Sequence, residues 1–286
     1  MIDLATRRRV YAEDIQTCFN IRSDRLVAAM AAVPRERFLA PGPWTIVGEG
    51  DYRSGGKPRS TPDADPRHVY HNVSIALDPE RQIFNGPPGV VVSALDSLDI
   101  AEGHRVLHLG CGAGYYTALV AHVVGAAGRV VACEVDPPLA AEAARHLAAF
   151  PWVDVRQDNG AAVDGPFDAI FVNAGVTHPL DAWLDALTPG GRLALPLTVG
   201  FPQMGHVSKG MIVLVTGRGD GKYDAQVTCP MISIYSAVGL RDDALNGVLG
   251  RAFQRGPFVR LRSFRRDAHD ETPSCWYHTS RFCFAT

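Results

Sequence analysis

Apolar positions along the chain fall into two textures. Over residues 13–40, Leu26, Val27, Met30 and Val33 recur at helical spacing. They predict a helix that stops before Pro34, because a residue preceding proline is pushed out of the helical region. Residues 41–68, PGPWTIVGEGDYRSGGKPRSTPDADPRH, have no periodicity and are crowded with Gly, Pro, Ser and Asp. They predict a long mobile loop, able to serve as a lid. From about residue 90 short apolar runs alternate with helical stretches. Strands are expected at Arg105–Leu109, Arg129–Cys133, Val153–Arg156, Ala169–Asn173 and Arg192–Pro196. Helices are expected at Tyr115–Val124, Leu139–Phe150 and Leu180–Leu187. Then Met211–Thr216 and Ala225–Ile234 flank GRGDGKYD, whose Asp220-Gly221 pair suits a hairpin turn. Strands that are nearly continuous apolar runs, interleaved with helices, predict a parallel sheet covered on both faces and closed by an antiparallel hairpin. The fold class is therefore α/β, doubly wound. An N-terminal helical part with a loop occupies 1–89, the α/β domain 90–235, and a C-terminal extension 236–286.

Composition narrows the classes without changing that picture. The 286 residues are 47% hydrophobic and 20% charged, the balance of a globular chain rather than a disordered one. The net charge of −2 gives no general attraction to nucleic acid or to an anionic membrane. Charge is uneven, balanced over 1–80, −6 over 81–200 and +4 over 201–286. Six arginines between Arg251 and Arg266 are followed at once by Asp267, Asp270 and Glu271, so a solvated, salt-bridged face is expected there. No apolar run is long enough to cross a membrane, and no apolar run follows Arg7-Arg8-Arg9, so no secretory signal is read. Six cysteines without a C-x-x-C pair read as reduced thiols of a cytoplasmic protein. Histidines make no H-E-x-x-H motif, and no metal is expected. The aromatic tail SCWYHTSRFCFAT should pack on the core or form a subunit contact; Cys275 and Cys283 are too isolated there to suggest ligands.

The chemistry concentrates in VLHLGCGAGYYTALVA, residues 106–121. A strand runs into Gly110-Cys111-Gly112-Ala113-Gly114 and then a helix. Glycines let backbone approach a ligand, and the helix start offers free N–H groups. The second strand ends in Glu134, where a carboxylate can accept from both hydroxyls of a ribose. Dinucleotide sites favour G-x-G-x-x-G; the G-x-G-x-G spacing here suits a nucleoside carrying an amino-acid tail and no phosphate. Asp158, after the third strand, can accept from an adenine amine, and the Asn159 N–H can donate to a ring nitrogen.

These features carry a resemblance. VPRERFLAPG (33–42), VYHNVSIAL (69–77), the glycine loop with GRVVACEVDPPLAAEAARHL (128–147) and FDAIFVNAGVTHPLDAWLDALTPGGRLALPL (167–197) resemble the protein-L-isoaspartate O-methyltransferase family. The resemblance implies a Rossmann-like fold and S-adenosyl-L-methionine as cofactor, released as S-adenosyl-L-homocysteine. It implies a cofactor site of Gly110, Cys111, Gly112, Gly114, Glu134, Val135, Asp158, Asn159 and Asn173, with His108 where the family has an acid. It also implies a peptide or protein carboxylate as methyl acceptor. Where the family has G-Q-T-I-S-Q-P, this chain has Arg81-Gln82-Ile83-Phe84-Asn85-Gly86-Pro87-Pro88, so Asn85 takes the serine's place against the acceptor. That replacement predicts poor turnover of isoaspartyl peptides. His71 and Asn72 are expected to line the acceptor cleft, with Asn72 equally readable as a turn residue. Asn173 ends the fourth strand, and His178 is the histidine nominated as a base. Two other readings stand beside this one: a methyltransferase of a small molecule or natural-product peptide, and a cofactor-binding module without turnover.

Overall fold

The computed structural model describes residues 3–53, 57–219, 221–256 and 258–286. Asp220 lies outside these residues, and with it the Asp220-Gly221 turn. In chain order the elements are α1 (Leu4–Phe19), α2 (Asp24–Ala32), β1 (Thr45–Val47), α3 (Glu49–Arg53), β2 (Arg59–Ser60), β3 (Ser74–Asp78), β4 (Ile83–Phe84) and α4 (Pro88–Ser97). Next come β5 (Arg105–Leu109), α5 (Tyr115–Val124), β6 (Arg129–Cys133), α6 (Pro137–Leu147), β7 (Val153–Arg156), β8 (Phe167–Val172) and α7 (Asp181–Asp185). The chain ends with β9 (Leu187–Gly200), β10 (Val207–Gly217), β11 (Tyr223–Tyr235), α8 (Asp243–Arg255), β12 (Ser263–Arg265), β13 (Cys275–His278) and β14 (Cys283–Ala285). No helix among the described residues is long and apolar enough to cross a membrane.

Two compact units form, one from Met1–Gly103 with Cys111–Gln157, the other from His104–Gly110 with Asp158–Thr286. In the first, β6 and β7 pair in parallel, with Val130 opposite Val153. β6 and α5 are built of buried apolar runs, as a strand covered on both faces requires, whereas β7, Val-Asp-Val-Arg, has no fully buried residue. The helix expected to stop before Pro34 is the second of two. The first helix starts at Leu4, capped by Asp3 accepting from the Thr6 amide, and ends at Asn20 in the left-handed conformation. The second ends at Ala32, before Pro34.

The expected featureless loop at 41–68 is corrected. Thr45–Val47 pairs antiparallel with both β2 and β3, and β4 completes a small sheet in the order β2-β1-β3-β4. Trp44, Ile46 and Val47 are buried, and the Trp44 indole donates to the Ala40 carbonyl at 2.8 Å. Further along, the Thr61 amide donates to the Trp44 carbonyl at 2.8 Å and the Thr61 hydroxyl accepts from the Trp44 amide at 2.9 Å.

The second unit holds a sheet in the order β13-β14-β12-β11-β10-β9-β8-β5. Its parallel part, β5 with β8 and β8 with β9, matches the expected interleaving of strand and helix. The hairpin of β10 and β11 then extends the sheet antiparallel, and the C-terminal extension adds β12, β14 and β13 in the same sense. Register shifts between Gly210 and Val213 mark a bulge, opposite which β11 carries Pro230. The aromatic tail packs inward: Trp276, Tyr277, Phe282 and Phe284 are buried, with Phe264 and Phe284 rings 4.6 Å apart.

Candidate cofactor and acceptor site

The glycine loop has the conformation its sequence demands. Gly110, Gly112 and Gly114 have φ of 74°, 55° and 97°, the left-handed region that side chains disfavour. A Cβ on Gly112 would come within 3.1 Å of Leu77, and one on Gly114 within 3.0 Å of Leu147. The loop is thus a cradle that any other residue would fill. Gly114 caps α5, whose first N–H groups face the loop's end. Cys111 donates its amide to the Cys133 carbonyl at 3.1 Å, and burial raises its thiol well above the usual range. It packs and does not ionise.

Glu134 is only 7% exposed. Its Oε2 accepts from the Gly112 amide at 2.7 Å and its Oε1 from the Asp136 amide at 3.0 Å. The carboxylate clamps the loop and keeps lone pairs for a further donor. Val135 beside it is 43% exposed, an unusual place for a valine and a ready apolar surface for a flat ring. Asp136 caps α6 through Leu139 and forms an ion pair with Arg81, which also bridges Asp78. The segment 81–88 is thereby tethered two residues beyond Glu134.

In the same unit, the Asn85 Oδ1 accepts from the Ile75 amide at 3.0 Å and from Arg35 at 3.4 Å. Its Nδ2 is buried without a hydrogen-bond partner. Arg35 is fully buried. It donates to the carbonyls of Val69, His71 and Val73 at 2.8, 3.2 and 2.9 Å, and its Nε has no partner. Among the described residues it makes no salt bridge, so a buried positive charge stands behind Asn85 with no described carboxylate paired to it. Tyr116 donates to the Gly86 carbonyl at 2.9 Å and holds the following turn. Arg35 was visible in the sequence only as part of VPRERF, where Glu36 and Arg37 beside it mask its burial.

Other predicted residues take different places. Asn72 accepts from the Gly89 amide at 2.8 Å and so supports the start of α4, the turn reading. His71 is exposed, and its Nε2 accepts from Arg7 at 2.8 Å; partial burial and the Arg7 charge lower its pKa. In the second unit, His108 is fully buried in β5 with its ring 5.0 Å from that of Phe171, and burial drives its pKa down to about 3. It stands neutral, where the family has an acid. Asn173 donates its backbone N–H to Leu109 at 2.8 Å, at the mouth of β5. Asp158 accepts from the Gly160 amide at 2.5 Å and Asn159 from the Ala161 amide at 3.0 Å, which orders the turn after β7. His178 contacts the Thr177 hydroxyl at 2.9 Å and stacks on Phe282; burial, then the Arg281 charge, lowers its pKa. A concavity of about 1120 Å³ is lined largely by charged residues of the C-terminal strands and includes none of these groups.

A Rossmann-like α/β fold, a positive-φ glycine cradle clamped by the acid of the second strand, and a tethered polar segment define an S-adenosylmethionine-dependent methyltransferase. The comparisons agree. The profile of the Protein-L-isoaspartate(D-aspartate) O-methyltransferase (PCMT) family matches residues 61–235, and the chain belongs to that family. It is 32% identical over 198 residues to protein-L-isoaspartate O-methyltransferase 1 of Rhodopseudomonas palustris, covering 68% of this chain and 69% of that protein. It is 30% identical over 219 residues to the enzyme of the same name from Arabidopsis thaliana, covering 71% and 83%. A solved protein-L-isoaspartate O-methyltransferase superposes with a TM-score of 0.64 at 18% identity, over 97% of this chain and 87% of that one. The Plasmodium falciparum PCMT structure in complex with S-adenosyl-L-homocysteine gives 0.60 at 15% identity, over 80% and 97%. At these identities the structures speak for the fold.

Proposed function

We propose that the protein O-methylates a carboxylate of a peptide or protein, with Asn85 as the acceptor contact. The observation that carries this reading is the Asn85 Nδ2, a buried donor without a partner, fixed through its own Oδ1 and backed by the buried charge of Arg35. A carboxylate is the acceptor that both features favour: it takes the amide's hydrogen bond and is attracted by the cation.

The cofactor is held, in this reading, by Gly110, the Cys111 backbone, Gly112 and Gly114 along its amino-acid tail. Glu134 takes the ribose, Val135 the face of the adenine, and Asp158 and Asn159 its edge, with Asn173 at the end of the fourth strand. When bound, S-adenosyl-L-methionine supplies an electrophilic methyl group on sulfur. Asn85 orients the acceptor oxygen, and the segment tethered by Arg81 and Asp136 keeps water away. Positioning alone is worth roughly 7–11 kcal/mol in well-oriented reactions. A carboxylate is ionised at neutral pH and needs no base, so neither His178 nor His71 has a proton to take. A cytoplasmic setting belongs to this reading, supported by six free cysteines.

The test is transfer of labelled methyl to a peptide carrying isoaspartate, with its normal aspartyl twin as control, scored by base-labile ester. We expect slow esterification of the isoaspartyl peptide by the natural chain. Asn85→Ser should raise its kcat/KM by about tenfold, the worth of one well-placed hydrogen bond. No ester on any peptide carboxylate, with cofactor binding intact, would refute the reading.

A further inference from the structure

The C-terminal strands gather four residues that the sequence leaves scattered: His269 in the loop after β12, Cys275 and His278 on β13, and Cys283 on β14. One nitrogen or sulfur of each lies within 4.8 Å of the other three. We propose that His269, Cys275, His278 and Cys283 form a structural zinc site of the Cys2His2 kind.

The chemistry and the dimensions fit. Zinc takes thiolate and imidazole in a tetrahedron, with Zn–S about 2.3 Å and Zn–N about 2.1 Å, which sets sulfur and nitrogen ligands roughly 3.6 Å apart. Cys275 Sγ and His269 Nε2 are 3.6 Å apart. Two thiolates with two imidazoles are a set that selects zinc over harder cations. The register explains how the hairpin delivers them. His278 sits directly opposite Cys283, and a bulge between Cys275 and Tyr277 displaces the start of β13.

Surrounding groups prepare the ligands. His269 Nδ1 is 3.0 Å from the Asp267 carbonyl, an atom that can only accept. Nδ1 therefore carries the proton, and Nε2 presents its lone pair toward Cys275. This is the outer hydrogen bond that orients ligating histidines. The Thr272 amide donates to Cys275 Sγ at 3.3 Å, and the Thr272 hydroxyl lies at the same distance, an environment that favours a thiolate. His278 Nδ1 is buried without a hydrogen-bond partner. Cys283 is fully buried and Cys275 is 8% exposed, at the edge of the cluster. Binding one Zn²⁺ releases the two thiol protons to solvent and leaves a site with no net charge. It would pin the loop 266–274 and the final hairpin together at the end of the sheet.

The experiment uses the full chain, purified without chelator and then dialysed after exposure to Zn²⁺. Elemental analysis should find about one zinc per chain, the stoichiometry of one tetrahedral site. Cobalt in its place should give the visible bands of tetrahedral thiolate coordination. His269→Ala, a change in a loop, and Cys275→Ser should each abolish tight retention while circular dichroism stays native. Chelation should speed hydrogen exchange in β13 and β14 by about tenfold or more. Two results would overturn the proposal. One is zinc at background level in the natural chain. The other is a chain two hydrogens lighter, with Cys275 joined to Cys283 as a disulfide. Either outcome is read from metal content and mass and leaves the methyltransferase assignment untouched.

Discussion

Replacing Glu134 should separate two duties that one carboxylate performs. It accepts from the Gly112 amide at 2.7 Å and the Asp136 amide at 3.0 Å, and it is nearly buried. Glu134→Ala leaves both N–H groups without their acceptor, at about 1–3 kcal/mol each. A loss of roughly 2–4 kcal/mol corresponds to a fall in Tm of about 5–15 °C for a chain of this size. Glu134→Gln keeps one acceptor oxygen but turns an NH2 toward the other backbone N–H, so it should recover only part of the loss. If the carboxylate also holds a ribose, binding of S-adenosyl-L-homocysteine should weaken by about 1.5–3 kcal/mol, some 10- to 150-fold. Calorimetry below the Tm of each variant measures this apart from stability. A lowered Tm with unchanged affinity would refute the ribose assignment and leave Glu134 as a clamp alone.

Arg35→Met keeps much of the side chain's bulk but strands the carbonyls of Val69, His71 and Val73; we expect a loss of about 3–5 kcal/mol by denaturant titration. A raised KM for a carboxylate acceptor at unchanged cofactor affinity should accompany it. His108 bears on acid stability. Its folded pKa of about 3 lies below the value near 6.5 of an exposed histidine, so the unfolded chain takes up the proton first. The resulting stability is complete above pH 6.5 and lost as pH falls toward 3. His108→Leu should flatten acid unfolding in that window, and an unaltered acid midpoint would count against a buried neutral imidazole.

The α/β centre was legible for a physical reason. Arg105–Leu109 and Tyr115–Val124 have the boundaries read from sequence because glycines bracket the loop between them and both elements are mostly apolar and buried. The small sheet was hidden because β1, β2 and β4 span two or three residues each, too few to show alternation. The first helix buries only Tyr11, Ala12 and Ile15 among polar residues, a stripe too narrow to announce Leu4 as its start. Glu134 stood out because strand, loop and acid follow one another along the chain. Arg35 and the Asn85 amide meet through contacts fifty positions apart, and His269, Cys275, His278 and Cys283 converge through strand pairing. Neither arrangement leaves a local spacing to read.

The bulge and Pro230 in β11 also bear on how this sheet avoids growing. Tyr223 and Asp224 of β11 pair with β12 and the Ala225 amide donates to the Arg262 carbonyl, but the ladder stops there, and further along the strand Pro230 and Met231 are exposed, Met231 at 84%. An open edge is a template for a stranger's backbone. Proline removes one ladder donor there, and the bulge twists the neighbouring residues out of register. A second chain meeting this border finds no continuous row of N–H and C=O groups to copy.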